Sequence, residues 1–308
     1  MSAPAPLPDR LPPAAQLSRW RAPDGWDHRR FDLAGDGTRG RVMLQGGRAD
    51  VIEKYLDVAL HLQTQGWTIT SFDWRGQGGS GRLGKGDVGH LSDFGALEDD
   101  LVAFWQGWTG EGPRVVLAHS MGAHVLLRAL AAGRIAPDAA VLSAPMVQVR
   151  SPLGQVMGAR TARWMCATGA PTRAAWQLSD EPRKVAKRLR RLTVDNSRGQ
   201  DDRWWEADAT LKLGPPSWGW VAEAFGSGAK LRDDLRLVSV RTPTLFLVPE
   251  HDQLVDARAA LAVAARMPSA EVVRVGPEAG HEVLREGIDV RDRAFAAIDK
   301  FLDRKAPV

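Results

Sequence analysis

The sequence predicts an α/β protein whose core is a doubly wound, mostly parallel β-sheet. Short, almost continuously apolar runs alternate with longer amphipathic segments. This pattern is typical of strands that are buried on both faces and joined by crossover helices. The alternation stops between residues 150 and 238 and resumes after them. The 308-residue chain is therefore expected to contain one core that is interrupted by an insertion.

The individual elements follow from the same pattern. Runs rich in Val, Leu and Ile predict strands, and segments with apolar residues at helical spacing predict helices between them. The predicted strands are 41–44, 68–72, 114–118, 139–143, 243–248 and 271–275. The predicted helices are about 52–66, 94–108, 121–133, 257–266 and 291–303.

The chain is expected to have three parts. Residues 1–30 are rich in proline and arginine and are expected to form an extended N-terminal arm over the core. The core comprises residues 31–149 and 239–308. Residues 150–238 contain Pro, Gly and Trp with short helical patterns but without a convincing strand, which indicates an inserted helical cap, or lid.

Composition excludes several classes of protein. A hydrophobic fraction of 44% and a charged fraction of 25% are ordinary for a globular chain, which argues against disorder and fibrous repeats. Cys166 is the only cysteine, so an internal disulfide framework and a multi-cysteine zinc site are excluded. The net charge of +4 is too small to indicate nucleic-acid binding. Since neither a secretory signal nor a membrane-spanning apolar run is found, we expect a soluble cytoplasmic protein.

The sharpest signal is the segment 117–123, LAHSMGA, where an apolar run ends and a helical pattern begins. A serine in a tight turn between a strand and a helix exposes its hydroxyl at the carboxyl edge of the sheet, close to free backbone N–H groups. In the G-x-S-x-G pattern of such turns, Ala118 takes the first glycine position and Gly122 keeps the second. We therefore expect Ser120 to be a nucleophile; the alternative is a serine that only caps the helix.

Two further residues support a nucleophilic serine. Asp252 and His281 follow successive predicted strands, and the order serine, acid, histidine along the chain is one that such sites use. A serine hydroxyl needs an imidazole to accept its proton, and a carboxylate must orient that imidazole. We assign Ser120 as nucleophile, His281 as base and then acid, and Asp252 as the orienting acid. Glu250 and Asp256 lie on the same loop as Asp252 and remain alternatives for the acid.

Other candidate motifs are interpreted as structural. His119 and His251 lie beside the expected site residues but have no assigned role. Glu282 follows His281, yet the sequence does not complete the H-E-x-x-H zinc motif, so no metal is expected. The segment 76–81 matches G-x-G-x-x-G, but a loop follows it where a dinucleotide site needs a helix. We therefore expect no cofactor.

Backbone N–H groups are expected to stabilise the negatively charged oxygen that develops during the reaction. One is the N–H of Met121, directly after the expected nucleophile. A second is expected from the loop 45–48, QGGR, whose glycines allow the backbone to approach a substrate closely. The alternative for this loop is a plain tight turn before the helix that begins near residue 52.

A set of short segments is distinctive: 52–55 (IEKY), 72–78 (FDWRGQG), 118–122 (AHSMG), 250–252 (EHD) and 280–282 (GHE), with 192–193 and 214–218 in the cap. Taken together, these segments resemble the α/β-hydrolases, in particular the branch that contains lysophospholipases and monoacylglycerol lipases. The similarity runs from about residue 30 to the C-terminus. Two departures from the family are Ala118, where relatives have glycine, and Gly46, where they often have proline or histidine.

The resemblance implies a serine carboxylester hydrolase that releases a free fatty acid from a single-chain lipid, with a lysophospholipase as the first expectation. It also implies that the backbone N–H of Arg48 is the second oxyanion donor. Gly47 and Trp218 are the residues expected to contact substrate. A monoacylglycerol lipase, a small-ester or peptide hydrolase, and a non-catalytic protein that binds a hydrophobic ligand are the alternatives.

The expected cap carries the charge and tryptophan excess of the chain. Between Arg150 and Arg191 there are ten basic residues against two acidic ones, Asp180 and Glu181, which gives a net charge of +8. A basic amphipathic helix near 182–192 is expected to contact an anionic membrane surface or to steer phosphate-bearing substrates; the alternative is a solvated lid helix. Six of the twelve tryptophans also lie in the cap, where they would suit an acyl chain. They are Trp164, Trp176, Trp204, Trp205, Trp218 and Trp220.

Overall fold

The computed structural model describes residues 11–36, 39–178, 181–195 and 201–307. Residues 1–10 of the expected arm and Asp180 of the expected cap lie outside this part of the chain. At the centre of the structure is one eight-stranded sheet. Its strands are β1 (Ala15–Arg21), β2 (Asp27–Leu33), β3 (Arg41–Gln45), β4 (Thr68–Phe72), β5 (Arg114–His119), β6 (Ala139–Ser143), β7 (Thr244–Pro249) and β8 (Ala270–Val275).

The sheet has the mostly parallel arrangement that the sequence predicts. Its order is β1-β2-β4-β3-β5-β6-β7-β8, and β3 to β8 run parallel to one another. All six predicted strands are present, and their ends differ from the predicted ones by at most one residue. Because the strands are parallel, the loops that follow β3, β5, β7 and β8 all open at the same edge of the sheet.

Two strands precede those that the sequence predicts. β1 pairs with β2, and β2 pairs with β4, both antiparallel, so residues 15–33 extend the sheet at its edge and do not simply lie over it as an arm. β1 is mostly exposed, and β2 buries only alternate residues such as Phe31 and Leu33. Edge strands with one covered face lack the continuous apolar run by which the other strands are found.

Helices cover both faces of the sheet, as in a doubly wound fold. Val115 and Leu117 of β5 pack with the helices on one face, whereas Val116 and Ala118 pack with those on the other. The helices are α1 (Leu56–Thr64), α2 (Gly95–Gly107), α3 (Ser120–Ala131), α4 (Gly154–Ala167), α5 (Pro182–Leu192), α6 (Asp201–Ala207), α7 (Trp218–Asp233), α8 (Ala257–Ala264) and α9 (Ile288–Lys305). The helices α1 and α9 lie on the first face, and α2, α3 and α8 on the second.

The segment between β6 and β7 is helical and contributes α4 to α7. The predicted basic helix near 182–192 is confirmed as α5. α4 packs against α7, where a side chain at Gly158 would come within 2.7 Å of the Phe225 ring. The segment before α7 is joined to the core by hydrogen bonds from Gly214 N to Asp87 O at 2.7 Å and from Ser217 N to Gly89 O at 3.0 Å. Within the described ranges, no helix combines the length and apolar composition that a bilayer-spanning segment requires.

Candidate active site

Ser120 lies at the junction of β5 and α3, where the sequence predicts a tight turn. Its φ of 49° is in the left-handed region, which non-glycine residues rarely adopt and which is often found at functional sites. A Cβ at Gly122 would lie 2.5 Å from the carbonyl oxygen of Gly46, so only glycine allows this approach of α3 to the loop after β3. Ala118 is fully buried in β5, so the structure accommodates its methyl group.

Ser120, His281 and Asp252 form a chain of hydrogen bonds at the carboxyl edge of the sheet. The Oγ of Ser120 lies 2.9 Å from Nε2 of His281, and Nδ1 of His281 lies 2.6 Å from Oδ2 of Asp252. Ser120 directly follows β5, and His281 and Asp252 lie on the loops that follow β8 and β7. All three residues are buried, and Ser120 keeps the largest exposed fraction, 8%.

The carboxylate of Asp252 is fixed by its own loop. Its Oδ1 accepts hydrogen bonds from the backbone N–H groups of Leu254 at 2.7 Å and Val255 at 3.0 Å. Burial would raise the pKa of Asp252, but the charge of His281, their hydrogen bond and the two backbone donors hold this pKa below its ordinary value. Asp252 is therefore ionised at neutral pH, with its second oxygen directed at the imidazole.

His281 is set up to take a proton. Burial disfavours the charged imidazolium, but the charge and hydrogen bond of Asp252, together with other nearby carboxylates, place the pKa of His281 above its ordinary value. The charges of Glu282 and Asp50 act in the same direction. The geometry thus places an imidazole nitrogen within reach of the Ser120 hydroxyl, with a carboxylate beside the other ring nitrogen that can stabilise an imidazolium.

The alternative residues do not occupy equivalent positions. Glu250 is exposed and pairs with Arg274 at 3.3 Å, and Asp256 accepts from Arg258 N and so caps α8. His251 is exposed. His119 is buried with its ring centroid 4.8 Å from that of His281. Burial and the nearby charge of His281 lower the pKa of His119 to about 4, so this ring is neutral at pH 7.

The loop after β3 lies directly against Ser120. A Cβ placed on Gly47 would be 3.0 Å from the Cβ of Ser120, so only the backbone of this loop fits there. The N–H of Gly47 donates to Oδ2 of Asp50 at 2.5 Å, whereas the hydrogen bonds of the described residues do not use the N–H of Arg48. The N–H of Met121 lies in the first turn of α3, where the helix itself supplies no acceptor.

The side chain of Arg48 joins this loop to the segment before α7. Its Nη2 donates to the carbonyl oxygen of Gly214 at 2.5 Å, and its guanidinium lies 5.4 Å from the ring centroid of Trp220. Burial lowers the pKa of Arg48 to about 10, and Asp50 opposes that effect. Arg48 is still a cation at neutral pH.

The cavity beside Met121 is lined by a different tryptophan from the one that the sequence analysis selects. Trp220, together with Arg48, Met121 and Leu213, is part of its wall. Trp218 is half-buried, is not among the described residues that line this cavity, and donates its backbone N–H to Arg173 O at 3.0 Å. Ser217 caps α7 by accepting a hydrogen bond from the N–H of Trp220.

A buried charge cluster behind His281 is absent from the sequence analysis. The Lys54 ammonium donates to Asp50 Oδ1 at 2.5 Å and to Glu282 Oε1 at 2.8 Å, and the Tyr55 hydroxyl donates to Asp50 Oδ2 at 2.6 Å. Despite burial, Lys54 helps to hold the pKa values of Asp50 and Glu282 below their ordinary range. Burial and these carboxylates raise the pKa of Tyr55. The spacing of Asp50 and Lys54 is visible in the sequence, but their contact with Glu282 is not.

Comparisons with known proteins identify the family of the chain. Residues 36–287 match the family described as Serine aminopeptidase, S33. Lysophospholipase L2 of Escherichia coli strain K12 is 32% identical over 282 residues, which cover 85% of this chain and 80% of that protein. Monoacylglycerol lipase of Mycolicibacterium smegmatis is 27% identical over 255 residues, which cover 80% of this chain and 83% of that protein.

Solved structures show the same fold. A soluble variant of monoglyceride lipase from Saccharomyces cerevisiae, in complex with a substrate analog, superimposes with a TM-score of 0.77 at 19% identity. The match covers 98% of this chain and 100% of that one. The monoacylglycerol lipase of Paleococcus ferrophilus gives a TM-score of 0.68 at 15% identity and covers 89% of this chain and 98% of its own.

The fold and the arrangement at the sheet edge define the class of α/β-hydrolase enzymes. The chain belongs to the S33 family of this class, and the resemblance noted in the sequence is confirmed. Within the class it is a carboxylic ester hydrolase.

Proposed function

We propose that the protein is a lysophospholipase that works through an acyl-enzyme, with Ser120 as the nucleophile. The observation that carries this proposal is the hydrogen-bonded chain from Ser120 through His281 to Asp252. Its three members follow three parallel strands and meet beside two backbone N–H groups, those of Met121 and Arg48, that are suited to an oxyanion. This is the constellation that acyl transfer through a serine needs.

In the acylation step, His281 Nε2 takes the Ser120 proton as Oγ attacks the ester carbonyl carbon. The carbonyl oxygen becomes negatively charged, and the N–H groups of Met121 and Arg48 stabilise it. The imidazolium, held by Asp252, then gives its proton to the leaving alcohol as the carbon–oxygen bond breaks. The acyl group remains on Ser120 and the alcohol departs.

In the deacylation step, water takes the place of the alcohol. His281 accepts a proton from water as the water oxygen attacks the acyl-enzyme, and the same two N–H groups stabilise the second oxyanion. Return of the proton to Ser120 Oγ releases a carboxylic acid. With a single-chain lipid ester as substrate, this product is a free fatty acid.

The choice of a lysophospholipid substrate is supported by the 32% identical relative named lysophospholipase L2 and by the charge of the cap. The six basic residues of α5 give it a favourable field for a phosphate-bearing headgroup. The C-terminal end of α5 lies beside the expected base, since His281 N donates to Arg191 O and Glu282 N donates to Leu192 O at 2.8 Å. A monoacylglycerol is the second candidate, supported by the lipase relative and by the apolar surface of α4.

One experiment tests the catalytic part of the proposal. A fluorophosphonate probe is expected to label the protein at Ser120, and Ser120→Ala is expected to lose both labelling and ester hydrolysis. Failure of the native protein to react, or retention of esterase activity by Ser120→Ala, would overturn it. The candidate substrates are then distinguished by comparing kcat/KM for lysophosphatidylcholine, monoacylglycerol and a short p-nitrophenyl ester. The proposal expects the first to be hydrolysed best.

We also propose that α4 and α5 contact an anionic lipid surface. Four large apolar side chains at helical spacing on α4 and just before it are exposed: Leu153 at 60%, Val156 at 71%, Met157 at 54% and Trp164 at 64%. Basic residues accompany them on α4 and α5, and surfaces that combine exposed apolar and basic side chains bind the interface of anionic membranes.

Binding to vesicles tests this contact. The native protein is expected to sediment with phosphatidylglycerol vesicles more strongly than with phosphatidylcholine vesicles, and Val156→Ser/Trp164→Ser is expected to reduce the binding to both. Leu235→Ser is the matched control, because Leu235 is 80% exposed but lies outside α4 and α5. Equal binding by the native protein and the double variant would contradict the proposal.

A further inference from the structure

The glycine-rich segment 76–81 has a role that the proposed reaction does not yet use. Gln77 lies in this segment and is almost fully buried, with 4% exposed. Its amide is directed at the loop after β3, which the proposed reaction uses as half of the oxyanion site. Nε2 of Gln77 donates to Gly47 O at 2.8 Å and to Asp50 O at 3.3 Å, and Oε1 accepts from Ala49 N at 3.2 Å.

The hydrogen bond to Gly47 O fixes the direction of the Arg48 N–H. The carbonyl of Gly47 and the N–H of Arg48 belong to the same peptide unit, and in a planar trans peptide these two groups point in opposite directions. Gln77 holds the carbonyl on one side, so the N–H is held on the other. The loop lies against Ser120, with a Gly47 Cβ position only 3.0 Å from the Ser120 Cβ.

The neighbouring N–H groups of the loop already have acceptors. The N–H of Gly47 donates to Asp50 Oδ2 at 2.5 Å, and the N–H of Ala49 donates to Gln77. Between them, the N–H of Arg48 has no acceptor in the hydrogen bonds of the described residues. Two side chains, those of Gln77 and Asp50, thus hold the peptide units around Arg48 and leave its N–H available.

The glycines on both sides of Gln77 explain how the amide reaches this position. Gly76 and Gly78 have φ values of 80° and 52°, in the left-handed region that favours glycine. A Cβ at Gly78 would lie 2.3 Å from the Asp73 carboxylate, so a larger residue cannot occupy this turn. The segment therefore serves as a scaffold for Gln77, which accounts for a glycine pattern that lacks the helix of a dinucleotide site.

We propose that Gln77 is a positioning residue that orients the Gly47–Arg48 peptide so that the Arg48 N–H faces the developing oxyanion. This inference rests on the proposed acyl-enzyme reaction, since it concerns the second oxyanion donor of that reaction. In the described part of the chain, the hydrogen bonds of the Gln77 side chain go to this loop and not to Ser120 or His281. The effect of Gln77 on the transition state passes through the backbone of Arg48.

The test is Gln77→Met, which keeps the length of the side chain but removes its hydrogen bonds to the loop. Because removal of one oxyanion donor costs about 10²–10³-fold in kcat, loss of its positioning is expected to lower kcat by roughly 10–100-fold. KM is expected to change little, since the substrate carbonyl gains its charge only in the transition state. The matched control is Ser80→Ala, a buried residue of the same segment that bonds to Asp73 O and Arg29 N and not to the loop.

Two further measurements separate positioning from a loss of folded enzyme. Titration with a fluorophosphonate counts the reactive serines, and kcat is expressed per labelled site. The inhibition constant of an alkyl trifluoromethyl ketone, whose adduct carries the oxyanion, is expected to rise by the same factor by which kcat falls. A per-site kcat of Gln77→Met equal to that of the native enzyme, or an equal loss in Ser80→Ala, would overturn the inference. An unreactive Ser120 in the native protein would instead overturn the proposed function.

Discussion

The Lys54 ammonium lies 2.8 Å from Oε1 of Glu282, the residue directly after His281, although the two residues are 228 positions apart in the sequence. Lys54 also donates to Asp50, which holds the N–H of Gly47. One buried cation therefore joins the loop after β3 to the loop that carries the imidazole. The contact thus connects the two loops that lie on either side of Ser120 in the proposed reaction.

Lys54→Met is expected to destabilise the protein strongly. The change leaves the carboxylates of Asp50 and Glu282 buried without their shared cation, and removal of one partner from a buried ion pair costs about 3–5 kcal/mol. Urea denaturation followed by tryptophan fluorescence measures the free energy of unfolding. Lys184→Met is the control, because Lys184 pairs with Glu181 at the surface and should contribute less than about 1 kcal/mol. Similar losses in the two variants would contradict the expectation.

The fall of kcat/KM at acid pH should reflect protonation of His281. The imidazole must be neutral to accept the Ser120 proton, and its pKa lies above the ordinary value of 6.5. We therefore expect kcat/KM for a p-nitrophenyl ester to fall as the pH decreases through a single ionisation above pH 6.5. His119 cannot produce this decrease, since its pKa of about 4 keeps it neutral throughout that range.

The variant Asp252→Asn tests whether His281 is the group whose ionisation produces the acid limb of the pH profile. Loss of the carboxylate removes the main influence that raises the pKa of His281, so the acid limb should move to lower pH. The rate should fall by roughly 10³–10⁴-fold, because the imidazole loses its orienting anion. Asp256→Asn, which alters the cap of α8 on the same loop, is the control. A limb that stays in place in Asp252→Asn would show that another group sets it.

The sequence predicts those strands in which consecutive residues are buried on both faces of the sheet. Val115, Val116 and Leu117 are all fully buried, and such a run identifies a central strand. β1 is exposed along most of its length, so its sequence carries little of that signal. The placement of Ser120 and His281 near each other could also be predicted, because the carboxyl ends of parallel strands meet at one edge of the sheet.

The rest of the site depends on contacts that no local pattern contains. Gln77 belongs to a glycine-rich segment that resembles a loop motif of another class, and its partner Gly47 is 30 residues away. Trp218 and Trp220 both lie at the start of α7, and nothing in the sequence distinguishes Trp220 as the one that lines the cavity beside Met121. The roles assigned to Ser120, Asp252 and His281 stay predictions until activity is measured, as do the domain boundaries and the cytoplasmic location.

The turn at Ser120 predicts a large loss of stability for substitution at Gly122 and a small one for substitution at Ala118. Gly122→Ala places a methyl group 2.5 Å from the backbone oxygen of Gly46, so the free energy of unfolding should fall by about 3 kcal/mol, the upper end for overpacking. Ala118→Gly should cost only about 0.5–1 kcal/mol, the usual penalty of glycine in a strand, with Ser120 still labelled by a fluorophosphonate. Gly107→Ala at the end of α2 is the control, since nothing lies within 4 Å of its Cβ position. Equal stability of Gly122→Ala and Gly107→Ala would refute the steric explanation.

Glu286 links the residues that follow α5 to the loop that carries His281, so its replacement should affect both stability and activity. This fully buried carboxylate accepts hydrogen bonds from the N–H groups of Gly280 at 2.6 Å, Val194 at 2.8 Å and Asp195 at 3.0 Å. Glu286→Gln keeps the shape but replaces one acceptor oxygen by a donor that faces backbone N–H groups. The free energy of unfolding should fall by about 1.5–3 kcal/mol, the contribution of a hydrogen bond to a charged group.

The same variant should lower kcat by roughly 10–100-fold, because a small displacement of the imidazole misaligns it with Ser120 Oγ. Steady-state kinetics with a p-nitrophenyl ester, together with urea denaturation, measure the two effects on one preparation. Glu250→Gln is the matched control, since Glu250 is exposed and pairs only with Arg274 in the described part of the chain. A Glu286→Gln protein with native kcat but reduced stability would confine the role of Glu286 to holding the cap.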